Sequence, residues 1–224
     1  MYGSEGFTIY DLALWAEGLG ISVSIFMVSS ILGLILGCIV GLVRYYKIPI
    51  IGKILMMISE FLKNSPVLVQ LFLIYFGIPA LLAINMTPVE AAMITLTGNT
   101  AAFIAVIVIS SIEAIDIRQL EAARSFALSE RLILIKIIFP QALAISTPLL
   151  VGLAINQLQV TSLVSVIGVV DLTRVGDIIN QRTFEPFIVW PIIGLTYFVL
   201  AKTIERIGAR LERRFSAHHI SNEI

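Results

Sequence analysis

The sequence predicts an all-α membrane protein of about five transmembrane helices, because it is too apolar for water, its apolar runs have spanning length, and none of them alternates. Of the 224 residues, 58% are hydrophobic and only 13% charged, with a mean hydropathy of +0.98. An average soluble domain is roughly 45–50% apolar and about 25% charged. Several runs reach the roughly 20 residues that a helix needs to cross a hydrocarbon core about 30 Å thick. None shows the ten-residue alternation of a membrane barrel. The same composition excludes other classes. With 15 basic and 15 acidic residues the net charge is zero, which gives a nucleic-acid partner no electrostatic footing. The single cysteine, Cys38, sits in an apolar run and reads as a small packing residue. One cysteine and the adjacent tail histidines His218 and His219 do not make a metal cage.

The elements follow in order along one domain, residues 1–224. Residues 1–11 are acidic and lack the basic start of a signal peptide, so the first apolar run is expected to remain as a span. Span one covers about 19–43 and stops at Arg44, Tyr45, Tyr46 and Lys47. A helical stretch over about 50–63 ends at Asn64-Ser65-Pro66, since proline disfavours helix at the preceding residue and leaves a carbonyl unpaired. Span two covers about 67–84, span three 89–112, span four 142–170 and span five 187–203. Every lysine and arginine except Arg174 and Arg182 falls on one side of this alternation. Basic residues flanking short spans stay cytoplasmic. The expected topology has the N-terminus outside and the C-terminus inside.

The link over about 113–141, cytoplasmic by this reckoning, is long, basic and mostly helical in pattern. Asp116 with Gln119 resembles a capping box. Glu121 to Arg124 continue that helix, and Ala122 and Ala123 leave a surface that a second protein can approach closely. Ser129 reads as the cap of a second amphipathic helix, which Pro140 is expected to end. By spacing alone, a helix pair lying on lipid headgroups fits as well as a protein-docking element. No GxxxxGK[ST] loop is present, so any ATP-driven activity requires a separate subunit. No internal repeat is evident, and an inverted-repeat secondary transporter would have to assemble from two chains.

Glu121-Ala122-Ala123, followed by Ile138-Phe139-Pro140-Gln141-Ala142, resembles the EAA loop of ABC importer permeases. The likeness runs over nearly the whole chain. Gly18-Leu19-Gly20-Ile21, the stretch from Lys63-Asn64-Ser65-Pro66 to Val69-Gln70-Leu71-Phe72, Thr161-Ser162-Leu163-Val164 and Asp171-Leu172-Thr173-Arg174 are similar to the polar amino acid permeases, the histidine, glutamine and arginine type. The resemblance implies the type I importer permease fold in a bacterial cytoplasmic (inner) membrane. It also implies alternating access: two permease subunits, identical or homologous, enclose a path. A binding protein outside delivers a small polar solute, foremost an amino acid, with methionine or a compatible solute as alternatives. Separate ATPases bind the ATP, so this chain needs no cofactor and does no covalent chemistry. An ATP-independent channel or secondary transporter is the rival class. Glu121, Ala122, Ala123, Arg124 and Ala127 would transmit force from the ATPase. The family has glycine where Ala127 stands, and a non-glycine residue in a left-handed turn costs roughly 1–2 kcal/mol.

Polar groups inside a membrane are expensive and mark functional sites by default. Span four carries Asn156, Gln157, Gln159, Thr161 and Ser162, and span three carries Asn99. Taken singly, each suits an interhelical hydrogen bond; together, the amides of span four suit a solute path. In the permeases it resembles, acidic residues usually stand at the places of Val106 and Val160, which implies a neutral or anionic solute here or a division of labour between unlike subunits. Finally, Ser29, Gly33, Gly37 and Gly41 recur every four residues on one face of span one, a close-packing seam within the subunit or, alternatively, between subunits.

Overall fold

Helix α1 (Ile9–Tyr45) starts ahead of the apolar run because Asp11 reaches back and accepts the Thr8 N–H at 2.7 Å, closing the helix end. The computed structural model describes the backbone of residues 8–220 and the side chains of residues 8–215; His218 and His219 lie outside the described side chains. After α1 the chain turns through Lys47 and Ile50, both at positive φ (51° and 64°), into α2 (Ile51–Asn64). Then follow α3 (Val67–Phe72), α4 (Ile78–Leu82), α5 (Pro88–Glu113), α6 (Ile117–Ser125), α7 (Glu130–Ile133), α8 (Phe139–Val160), a 3₁₀ stretch over Thr161–Ile167, α9 (Leu172–Thr183) and α10 (Pro186–Ile220). No strand occurs among the described residues.

Four helical stretches are long and apolar enough to cross a membrane: Ile9–Tyr45, Pro88–Glu113, Glu130–Ile167 and Pro186–Phe215. A fifth crossing comes from α2 with α3 and α4, a pair bent by 114° at Ser65-Pro66. The bend falls where the proline predicts it. The fourth span departs from expectation: Pro140 does not end a helix. A π turn over Leu134–Ile138 precedes it, with the Phe139 N–H bonded to the Leu134 carbonyl five residues back, and the helix runs on into α8. The same device stands before Pro79, where the Ile78 N–H bonds to Leu73 after a π turn over Leu73–Gly77. The wider turn shifts the hydrogen-bond register just ahead of a residue that has no N–H to give. Proline is absorbed at both places rather than acting as a stop.

α5 is the central helix, with 56% of its apolar window buried against 11% for α10. It packs along α1 through the small-residue seam, and the packing is within the subunit. A Cβ on Gly33 would lie 2.7 Å from Thr100, one on Gly37 2.6 Å from Ile104, and one on Gly41 2.8 Å from Val108. These matches advance together, so α1 and α5 run parallel. The bent pair between them must therefore return the chain to the end where α1 began, which requires it to cross. α8 runs the other way. Ile138 and Ala142 at its start cluster with Leu42, Val108 and Ile112, whereas Gln157 near its end meets Ser29 and Leu96.

Candidate functional site

The link between α5 and α8 forms a compact bracket at the end where α1 and α5 finish. Asp116 caps α6 by accepting the Arg118 N–H at 2.9 Å. Gln119 does not close a box with it; the Gln119 Oε1 instead accepts from Gln141 Nε2 at 2.8 Å. This bond joins the two halves of the EAA-like pattern, which lie far apart in sequence. Helical spacing turns Leu120 and Ala123 inward, where they pack with Ile133 and Ile138. Glu121, Ala122 and Arg124 face outward and are exposed. The expectation that both alanines offer an open surface is thus corrected for Ala123, which is 5% exposed and belongs to the bracket's own core.

α6 ends in a Schellman turn. The Leu128 N–H bonds to the Ala123 carbonyl at 3.2 Å and the Ala127 N–H to that of Arg124 at 2.9 Å, with Ala127 at φ 53°. The turn that favours glycine is therefore kept with alanine in it, at the strain cost of a left-handed residue. Ser129 caps α7 as expected, accepting the Leu132 N–H at 3.4 Å. Arg124 Nε reaches Glu130 Oε1 at 2.9 Å across the turn, and its guanidinium holds the Glu130 carboxyl below the usual range. Phe126, missed in the sequence pattern, is 81% exposed beside Ala122 and Glu121. A large aromatic residue just after a capped helix end, with no apolar partner at helical spacing, is the signal that could have found it.

The intramembrane polar residues divide into two groups. Gln157 is buried and donates to Ser29 Oγ at 3.2 Å and to the Leu96 carbonyl at 3.3 Å, tying α8 to α1 and α5. Thr161 is buried and bonds back to the Leu158 carbonyl at 2.7 Å. Asn99 donates to the Leu62 carbonyl at 3.1 Å. That carbonyl would have been taken by the N–H of residue 66, which is proline, and Gln70 Nε2 also serves it at 2.7 Å. Asn99 and Gln70 are thus braces on the bend between α2 and α3. Counting four residues back from Pro66 gives Leu62, whose carbonyl is orphaned, and Gln70 stands four residues past the proline as a polar group able to serve it. In contrast, Asn156 and Gln159 are exposed and their side chains make no hydrogen bond among the described residues; the hydroxyl of half-buried Ser162 donates to the Gln159 carbonyl at 2.7 Å. With exposed Gly152 they form one open stripe on α8.

At the opposite end of the molecule α9 folds back on the start of α1. Ser22 Oγ accepts the Leu172 N–H at 3.0 Å, and Arg182 pairs with Asp11. Asp171 caps α9 through the N–H groups of Arg174 and Thr173 at 2.9 and 3.2 Å. Burial pushes its carboxyl up, against the lowering effect of those donors.

Residues 33–217 match the family described as the binding-protein-dependent transport system inner membrane component. The chain belongs to that family. Among its relatives, the arginine transport system permease protein ArtQ of Bacillus subtilis is 31% identical, over 94% of this chain and 96% of that protein. The probable glutamine ABC transporter permease protein GlnP of the same organism is 32% identical, over 90% and 93%. The crystal structure of an amino acid ABC transporter with histidines superposes with a TM-score of 0.84 at 32% identity, covering 91% of this chain and 94% of that one. The inward-facing methionine transporter MetNI shares the fold, with a TM-score of 0.78 at 20% identity. As a transport-family permease, the chain is a multi-pass membrane protein. Val106 and Val160 are both half-buried.

Proposed function

We propose that this chain is the permease subunit of an ATP-driven importer of a small polar amino acid, set in a bacterial cytoplasmic membrane with its N-terminus outside and its C-terminus inside. ATPase subunits would seat on the outward face of α6, where Glu121, Ala122 and Arg124 stand, and would carry the ATP. A second permease subunit, identical or homologous, would close the path along the open stripe of α8. A binding protein outside would deliver the solute. The observation that carries this reading is the bracket itself. A helix of net exposed charge is held rigidly to the ends of α5 and α8 by its own core, so a push on it moves the spans.

Among the described residues α8 carries no acid, and the acids of α5, Glu90 and Glu113, lie at its ends. A cationic solute would find no buried counter-ion on these two spans. The reading therefore favours a neutral or anionic amino acid. The test is uptake into vesicles holding this chain with its ATPase and binding protein. Uptake should require ATP and be competed by unlabelled glutamine more than by arginine. Uptake without ATP would overturn the importer reading, and dominant competition by arginine would overturn the solute class alone.

A further inference from the structure

A cavity of about 430 Å³ opens where α1 and α5 end, roofed by the start of α2. Arg44, Lys47 and Lys53 line it, with Glu113 the carboxylate among them. Among the described residues none of these three cations is in an ion pair, whereas Lys63, further along α2, is paired with Glu60 at 3.2 Å. The Arg44 Nη1 is buried and has no hydrogen-bond partner. A buried charged donor left unmade is costly, and an anionic acceptor in the cavity relieves it. The other half of the lining is apolar: Ile48, Met56 and Ile109.

The cavity also lies at the depth of a membrane surface. α2 runs inward beside α5 from that end, with Met56 and Ile109 lining the cavity together and Leu62 meeting Asn99 deeper in, and Ile54, Met57, Ile58 and Phe61 are exposed along it. Lys47 and Lys53 stand at the end where α2 enters, so their ammonium groups reach the boundary between headgroups and acyl chains while their stems lie on apolar surface. The chain reversal through Lys47 and Ile50 in left-handed backbone sets the two lysines at the rim of that boundary. We infer that this cavity binds the headgroup of an anionic phospholipid, the phosphate on Arg44 and the two lysines, and the upper acyl chains along Ile48 and Met56. Basic pockets between membrane helices select such lipids by charge and by their apolar neighbours together. The inference needs only that α1 and α5 cross the bilayer, so it stands apart from the solute and from the ATPase.

The experiment uses the full-length protein taken with its partner subunits into nanodiscs of phosphatidylglycerol and phosphatidylcholine, followed by release and mass spectrometry of the retained lipid. Wild type should retain phosphatidylglycerol over phosphatidylcholine. The double variant Lys47→Gln/Lys53→Gln should lower that preference at least about fivefold, the effect expected for each basic group near a lipid surface. Adding Arg44→Gln should abolish it, while Lys63→Gln leaves it unchanged. Both lysines are exposed, so the double variant decides the matter even if Arg44→Gln does not fold. Equal retention in wild type and the double variant overturns the proposal. So does full displacement of the lipid by inorganic phosphate, which would make this a site for soluble anions. Loss of the ATPase subunit with lipid retention intact overturns it too, in favour of protein docking.

Discussion

Asn156 and Gln157 are neighbours on one helix, yet the fold uses one and leaves the other. Gln157 spends its amide on Ser29 and Leu96 in the seam of three helices, while Asn156 and Gln159 stay open on the far face. The same division separates Ala123 from Ala122 on α6: the first is core, the second is surface. A polar or small residue in a membrane helix is thus not a functional signal by type alone. What matters is whether its neighbours have already taken its hydrogen bonds or its volume.

The sharpest way to break this division is at α6. Glu121→Lys reverses a charge on the outward face. If that face is buried against an ATPase, an unpaired buried charge costs roughly 3–5 kcal/mol, and uptake should fall more than about a hundredfold with normal amounts of protein in the membrane. Ala122→Trp should do the same by exclusion. Ala123→Trp should instead lower the amount of folded protein, since its site is filled by Ile133 and Ile138. Uptake and membrane level measured for all three separate the cases. Normal uptake in Glu121→Lys and Ala122→Trp would end the coupling assignment.

The α8 faces give an intermediate effect. Asn156→Leu with Gln159→Leu should reduce uptake or raise the solute concentration needed for half-maximal rate by about tenfold, with the thermal midpoint of the purified protein unchanged. Gln157→Leu should do the reverse. Interhelical hydrogen bonds in membranes contribute about 0.6 kcal/mol on average and at most about 2 kcal/mol each, so it should lower the midpoint and leave the solute affinity of the surviving protein intact. A stability loss in the first pair, or an affinity loss in the second variant, would reassign the faces.

The smallest expected effect lies at Ala127. Glycine tolerates the left-handed backbone that alanine holds at φ 53°, so Ala127→Gly should stabilise the bracket by about 1 kcal/mol. Slower amide exchange over α6, with uptake retained, is the measurement. Faster exchange would mean that the turn gains more from the stiffness of alanine in the folded loop than it loses to strain.

Much of this was legible in the chain. The spans, the break at Pro66, the cap at Ser129 and the glycine ladder of α1 depend on local hydropathy, on proline chemistry and on four-residue spacing. Each of these is written in consecutive residues. Pro140 was misread because a proline is a stop only if the hydrogen-bond register before it is unchanged, and a π turn changes it. Asn99 was readable as polar and intramembrane, but its partner, the Leu62 carbonyl, lies 37 residues away.

The sequence by itself determined that this chain crosses a membrane several times, which end carries its basic residues, and where its exposed charged loop lies, because the bilayer acts on each segment separately. The tertiary structure alone decided which amides are braces and which are open, and which alanine of a pair is surface. Those outcomes depend on which helix comes to lie against which. Here the Gly33, Gly37 and Gly41 seam brings α1 so close to α5 that the Gln157 side chain of α8 reaches both helices at once.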